Sequence, residues 1–233
     1  SPQMLKAYAW RMKYREMLNP DSLYAGLKGL EQWVKQTDQP MDRAILHSLI
    51  AGIYANYAAN NQWQLRQRTE IVDQTPSADI REWTANMFVE KVRTNVKEAL
   101  ADSVLLLKTS SRDYIPFVEL GKTSEYYHHD LYHLLASRGI DALLQVEKLG
   151  GGYTETNAVN PVKQDIIAIY GNMLSAYKAA GLKEGYVLTA LNYLEWRRGA
   201  ERYIRPLQAK GEASVLTDDT YLKALNTLKS KYA

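Results

Sequence analysis

Leu23, Leu27, Leu30 and Val34 stand 4, 3 and 4 residues apart, and Tyr221, Leu225, Leu228 and Tyr232 repeat that spacing near the other end of the chain. A helix with about 3.6 residues per turn lines such positions along one side, and an apolar stripe of this kind is stable in water when another helix covers it. Comparable stripes recur between the two. Residues 3–18 carry Trp10, Tyr14, Met17 and Leu18, and a helix opened by Gln39-Pro40-Met41-Asp42 carries Leu46, Leu49, Ile53 and Tyr57 on its core side. A fourth helix over residues 80–102 has Phe88, Val92, Val96 and Leu100 in register. Asp130 is placed to cap a fifth, whose buried side includes Leu131, Leu135 and Leu143. Ile166, Ile167, Tyr170, Leu174 and Tyr177 mark a sixth that ends at Ala180-Gly181, and Val187, Leu191 and Leu194 mark a seventh.

Turn residues separate these segments at Asn19-Pro20-Asp21, Asn60-Asn61 and Pro76 to Asp79, and Thr217 or Asp218 caps the last helix. Short connections force successive helices to run antiparallel. Ala51, Gly52, Ala55, Ala58 and Ala59 are small enough to let neighbouring helices approach closely. The expected fold is all-α, with seven to eight antiparallel helices in a TPR-like α-solenoid or irregular helical array. The tetratricopeptide consensus itself does not recur at its period of about 34 residues. Gly150-Gly151-Gly152 is the strongest internal break, so residues 1–149 read as an N-terminal helical array, 150–161 as a Gly-rich loop or hinge, and 162–233 as C-terminal helices packed on the same array. Residues 103–129 are less regular, with a short apolar helix at Leu105–Leu107 and a turn beginning near Tyr114; Arg205 to Thr217 reads as a loop.

Trp63 to Arg68 breaks the helical period by alternating with period two, as an extended segment or a ragged helix end does. Alternation puts Arg66 and Arg68 on one side and Trp63 with Leu65 on the other. These residues form one candidate protein-contact surface. Arg197, Arg198 and Arg202, followed by Arg205, form a second basic cluster near a helix end. The competing reading of both clusters is dipole compensation and salt bridging.

The remaining composition limits the chemistry. A formal charge of +3 spread over 233 residues, without a block of like charge, does not point to a nucleic-acid partner. No run approaches the roughly 20 apolar residues that span a bilayer, so no direct membrane insertion by this segment is expected. The absence of Cys removes disulfides, thiol nucleophiles and Cys-ligated metals from the sequence. Ser1-Pro2-Gln3 has no signal-peptide character, and any export signal is expected upstream. With 17 Tyr and 5 Trp against 2 Phe, the aromatic content suits helix interfaces whose rims reach water.

His129-Asp130-Leu131-Tyr132-His133 places two imidazoles at i and i+4, the spacing of a helical zinc pair. Asp130 stands where such motifs carry Glu, which shortens the reach of a general base, and Glu125 and Asp141 are the conceivable third ligands. The simpler assignment makes Asp130 a helix cap. His47, flanked by Ile45, Leu46, Leu49 and Ile50, reads as a core-side histidine with a local hydrogen bond. Gly150–Gly152 lacks the Lys-Ser/Thr of a phosphate loop, and Asp218/Asp219 suit a helix start. The expectation is therefore a non-catalytic chain with no catalytic residues, no metal and no cofactor.

Ile45-Leu46-His47-Ser48-Leu49-Ile50-Ala51, Tyr54, Tyr57, Asn61-Gln62-Trp63 and Arg68-Thr69 resemble the amino-terminal helical region of large alpha-2-macroglobulin-like proteins from Bacteroidetes. Asp79-Ile80-Arg81-Glu82-Trp83, Leu131 to Asp141 and Tyr221-Leu222-Lys223-Ala224-Leu225 are similar to that region too. The resemblance implies an exported, envelope-tethered parent protein of the proteinase-inhibitor family, with this chain as a helical scaffold. Its implied partners are neighbouring macroglobulin-like domains of the same parent, and other proteins. The family's thioester needs a Cys, which this chain lacks, so no family catalytic residue carries over. Two other readings are a free-standing TPR-like peptide- or glycan-binding protein and an all-α enzyme using carboxylates from separate loops.

Overall fold

The computed structural model describes residues 2–18, 22–68, 77, 79–114, 130–147, 149, 160–201 and 218–232. Among them the chain is all-α. The helices are α1 (Pro2–Leu18), α2 (Ser22–Gln36), α3 (Pro40–Asn60), α4 (Gln62–Arg66), α5 (Ala85–Ala99), α6 (Ser103–Lys108), α7 (Leu131–Glu147), α8 (Pro161–Ala179), α9 (Lys183–Glu201) and α10 (Asp218–Tyr232). Eight of these ten are long; α4 and α6 are the short ones. An isolated bridge between Ser110 and Asp130 is the only β-type pairing among the described residues.

Local chemistry sets the helix ends. Proline opens both α3 and α8, where its missing N–H forfeits no intrahelical bond. Asn160 Oδ1 accepts from the backbone N–H of Val162 at 2.9 Å and of Lys163 at 3.3 Å. Asp130, buried at 2% exposure, accepts from His133 N–H at 2.6 Å, so it is a helix cap. At the far end of α8, Gly181 adopts φ +70°, which frees Leu182 N–H to donate to Tyr177 O at 2.9 Å. That closure caps the last carbonyls and requires a residue tolerant of left-handed backbone.

Helix α3 occupies the centre. It packs against α2, α5 and α7, and α5 and α7 also pack on each other. Covered from several directions, it buries Ile45, Leu46, Ile50, Ala51, Tyr54, Ala55 and Ala58, while Leu49, Ile53 and Tyr57 are half-buried against the same core. From this centre, α2 leads to α1 on one side, and α7 leads through α8 and α9 to α10 on the other. Val162, Ile166, Ile169 and Met173 of α8 belong to the same continuous core as α3, α5 and α7. Of the hinge expected at 150–161, residues 150–159 lie outside the described residues, as do the loop at 205–217 and residues 115–129, while Asn160 and Pro161 form the start of α8.

Most stripes read from sequence point inward. Leu27 and Leu30 are buried and Val34 is half-buried; the side chain of Leu23 lies outside the described set. Phe88, Val92, Val96, Leu131, Leu135 and Leu143 are all buried. Tyr221, Leu225, Leu228 and Tyr232 are half-buried, as suits a helix covered on one side by α9.

Five expectations need correction. The α1 stripe faces outward: Trp10, Tyr14, Met17 and Leu18 are 45%, 57%, 72% and 88% exposed, whereas Leu5, Tyr8 and Met12 face α2. Of the two readings of residues 63–68 the helix end holds over 62–66, but Trp63 does not share a side with Leu65: Leu65 is buried while Trp63 is 71% exposed on another side of α4. The fourth helix does not begin at Ile80, which opens a three-residue 3-10 turn capped by Asp79; Trp83 and Thr84 are extended before α5 starts. Ile167 is exposed, with Ile169 and Met173 filling the inward face of α8 instead. Gly52 also differs from expectation, since open space lies where its side chain would be, and Ala51, Ala55 and Ala58 supply the close approach alone.

Candidate functional site

Helix α4 follows α3 almost without a linker. Asn61 joins them, its Nδ2 donating to Tyr57 O at 2.8 Å and its backbone N–H to the same carbonyl at 3.1 Å. Leu65 fastens α4 to the core, which orients the rest of this short helix. Trp63 and Arg66 are three residues apart and both exposed, so they share one face. Arg68 does not join them. Its Nη1 donates to Trp83 O at 2.6 Å, while Trp83 Nε1 donates to Ser77 O at 2.7 Å. These bonds explain why the backbone at Trp83 is extended: its carbonyl and indole both have partners outside any helix.

Behind this patch is an aromatic cluster. Tyr54 stacks on Trp83 at 5.3 Å between ring centroids, Tyr57 stacks on Phe88 at 5.4 Å, and Trp83 tilts against Phe88 at 5.2 Å. Burial raises the pKa of the Tyr57 phenol, with the positive charge of Arg68 opposing that rise. Leu65 belongs to the same core as these rings, while Trp63 and Arg66 of the same short helix are exposed.

The second cluster is embedded among tyrosines. Arg197 lies over Tyr193 at 5.7 Å, and Arg198 lies over Tyr221 of α10 at 4.7 Å. Both arginines are half-buried; the Arg197 contact lies within α9, and the Arg198 contact is cation–π packing between α9 and α10. Arg202 lies outside the described residues.

The two described histidines, His47 and His133, have structural partners. His133 Nδ1 is hydrogen-bonded to the Tyr177 hydroxyl, tying α7 to α8. His129 and Glu125 lie outside the described residues, and no group of three metal-ligating side chains occurs among the described ones. His47 Nδ1 lies 2.9 Å from Asn95 Oδ1. Because the amide oxygen only accepts, Nδ1 carries the proton, and Asn95 Nδ2 donates onward to Lys91 O at 2.8 Å. The partner of His47 is 48 residues away on α5, a tertiary bond where a local one was expected.

Charged side chains make similar connections. Arg93 Nε donates to Asp165 Oδ2 at 2.5 Å, linking α5 to α8, and Nη1 donates to Glu90 at 2.6 Å. The hydrogen bond to Asp165 raises the already high pKa of Arg93. Glu31 accepts from Tyr54 Oη at 3.0 Å and pairs with Lys91 Nζ at 2.7 Å, so α2, α3 and α5 meet at one carboxylate. A cavity of about 10 Å³ between α3 and α7, lined by Ile45, Ser48, Leu49, Leu131, Leu135 and Arg138, has room for little more than a water molecule.

The sequence matches no family model, and no curated protein or solved structure is detectably similar to it.

Proposed function

We propose that this chain is a non-catalytic helical scaffold and protein-interaction module. We further propose that it is TPR-like in arrangement and belongs to a large alpha-2-macroglobulin-like protein of the cell envelope. The observation that carries the scaffold reading is the use of its reactive side chains. His47, His133, Arg93, Asp165 and Glu31 each join one helix to another. Groups held this way fix the geometry of a framework, on whose surface Trp63 and Arg66 are exposed where a partner can reach them. The macroglobulin assignment rests on the segments Ile45 to Ala51, Asp79 to Trp83 and Leu131 to Asp141. On that assignment the partners are neighbouring macroglobulin-like domains of the parent, and the parent is exported.

The test starts from the parent gene. Sequence following this chain is expected to encode β-rich macroglobulin domains. The first of these, produced separately, is expected to bind the 233-residue chain, and Trp63→Ala with Arg66→Glu is expected to weaken binding at least tenfold by calorimetry. A parent without such domains refutes the family reading. Binding unchanged by the double variant refutes the assigned surface.

A further inference from the structure

Helix α1 breaks the pattern that ends a stack of helices. A terminal helix normally turns a polar side to water. Here Leu5, Tyr8 and Met12 face α2, with Tyr8 Oη donating to Gly26 O at 3.2 Å and its ring 5.4 Å from Trp33. On the opposite side, Ala7, Trp10, Tyr14 and Met17 are all exposed, spaced 3, 4 and 3 residues apart. Trp10 and Tyr14 stack on each other at 5.7 Å, so the outer face carries an ordered aromatic ridge. The spacing is that of a helix–helix seam, with small Ala7 allowing close approach at one end.

Charge identifies what fits that seam. The α1 sequence contains Lys6, Arg11, Lys13 and Arg15 against Glu16 alone. Removing these four cations and one anion from the chain's 29 basic and 26 acidic residues leaves 25 of each, so the entire formal surplus of +3 belongs to this helix. Exposed Lys6 and Arg11 border the seam on its two sides, and Arg11 is steadied over the Tyr8 ring at 4.7 Å. We propose that the outer face of α1 docks an amphipathic helix from another protein, one with an apolar 3-4 stripe bordered by Asp and Glu.

Two other occupants fit less well. A second copy would set cation against cation along both borders, whichever way the two helices ran. Exposed Met4 and Leu18 widen the apolar side of α1, but they stand seven residues either side of Arg11, so a bilayer that took up this arc would have to bury that charge, whereas a helix with an acidic residue opposite pairs it. The inference concerns a face separate from the α4 patch and does not depend on the parent protein's family.

The full chain is titrated with a designed 21-residue helical peptide that has Leu and Ala at seam positions and Glu at the bordering ones. A matched peptide with Lys at the borders, and vesicles of phosphatidylcholine with about 30% phosphatidylserine, serve as comparisons. The Glu peptide is expected to bind, to weaken as salt rises, and to bind at least tenfold more tightly than the Lys peptide. Lys6→Glu with Arg11→Glu is expected to reverse the preference between the peptides, and Trp10→Ala with Tyr14→Ala to abolish binding of both. Circular dichroism of each variant checks that the helices remain. The two pairs alter different features, so the charge-reversed pair still decides the matter if the aromatic pair unfolds. Equal affinity for the two peptides, no binding of either, vesicle binding without peptide binding, or self-association lost on changing Trp10 would each overturn the proposal.

Discussion

Gly139 of α7 faces Val96 of α5, and replacing it with Ala sets two opposing effects against each other. A glycine in the middle of a helix costs about 1 kcal/mol relative to alanine, so propensity alone predicts that Gly139→Ala stabilises. A methyl added there would lie 2.8 Å from Val96 Cγ1, inside van der Waals contact. Val96 is 3% exposed, and its β-branched side chain has little freedom to turn away. Overpacking of this kind costs about 1–3 kcal/mol. The expected net effect is a loss of about 1 kcal/mol, a drop in Tm of roughly 2–4 °C for a chain of this size. Val96→Ala alone opens a cavity and costs about 2–3 kcal/mol. In the double variant the methyl at 139 enters the vacated space, so the pair is expected to be less destabilised than the sum of the singles by about 1–2 kcal/mol. Urea unfolding of all four proteins measures this. A stabilising Gly139→Ala, or strict additivity, refutes the packing argument.

Gly52 and Gly171 provide the opposite case, since no atom lies within 4 Å of an added methyl at either position; Gly52→Ala and Gly171→Ala should each raise stability by about 0.5–1 kcal/mol in thermal melts. Asp130→Ala removes the α7 cap and is expected to lower stability by about 1–2 kcal/mol, read by urea denaturation. Burial pushes the Tyr132 phenol up to about 12 from 10.0, with the nearby Asp130 charge acting in the same direction. Because the folded state holds this proton more tightly, its contribution is fully present below pH 10 and is lost as pH rises through about 12. Two pKa units correspond to about 2–3 kcal/mol, so Tyr132→Phe should flatten the alkaline limb of the stability profile by that amount. Matching alkaline limbs in both proteins would count against it.

Helix punctuation was readable wherever one residue's backbone chemistry decides the outcome. Pro40, Asp130 and Gly181 act locally, and each marks a helix boundary where its type predicts. The direction of α1 was not readable, because periodicity says that residues share a side but not which of two apolar sides is covered. Leu5 and Met12 won that competition through the close approach to α2 at Gly26, where an added methyl would lie 2.7 Å from Met12 Cε. The break before α5 was hidden for a different reason. Trp83 tolerates a helix, but its partners Arg68 and Ser77 are 15 and 6 residues away. The placement of the α4 side chains was legible in part. Trp63 and Arg66 meet on a helical face that alternation did not predict, while Arg68 is drawn inward by a carbonyl no spacing rule reveals. The inter-helix pairs are less visible still, because His47–Asn95, His133–Tyr177 and Arg93–Asp165 lie 48, 44 and 72 residues apart.

The central position of α3 has a consequence for synthesis. Its neighbours α2, α5 and α7 span residues 22 to 147, so the last of its oily flanks is covered only after residue 147 has left the ribosome. Until then a 21-residue segment rich in Ile, Leu and Ala lacks part of its apolar cover, the condition under which a partly made chain is prone to aggregate. Helices α9 and α10 pack beyond that centre, on α8 and on each other, and are made after every helix that covers α3.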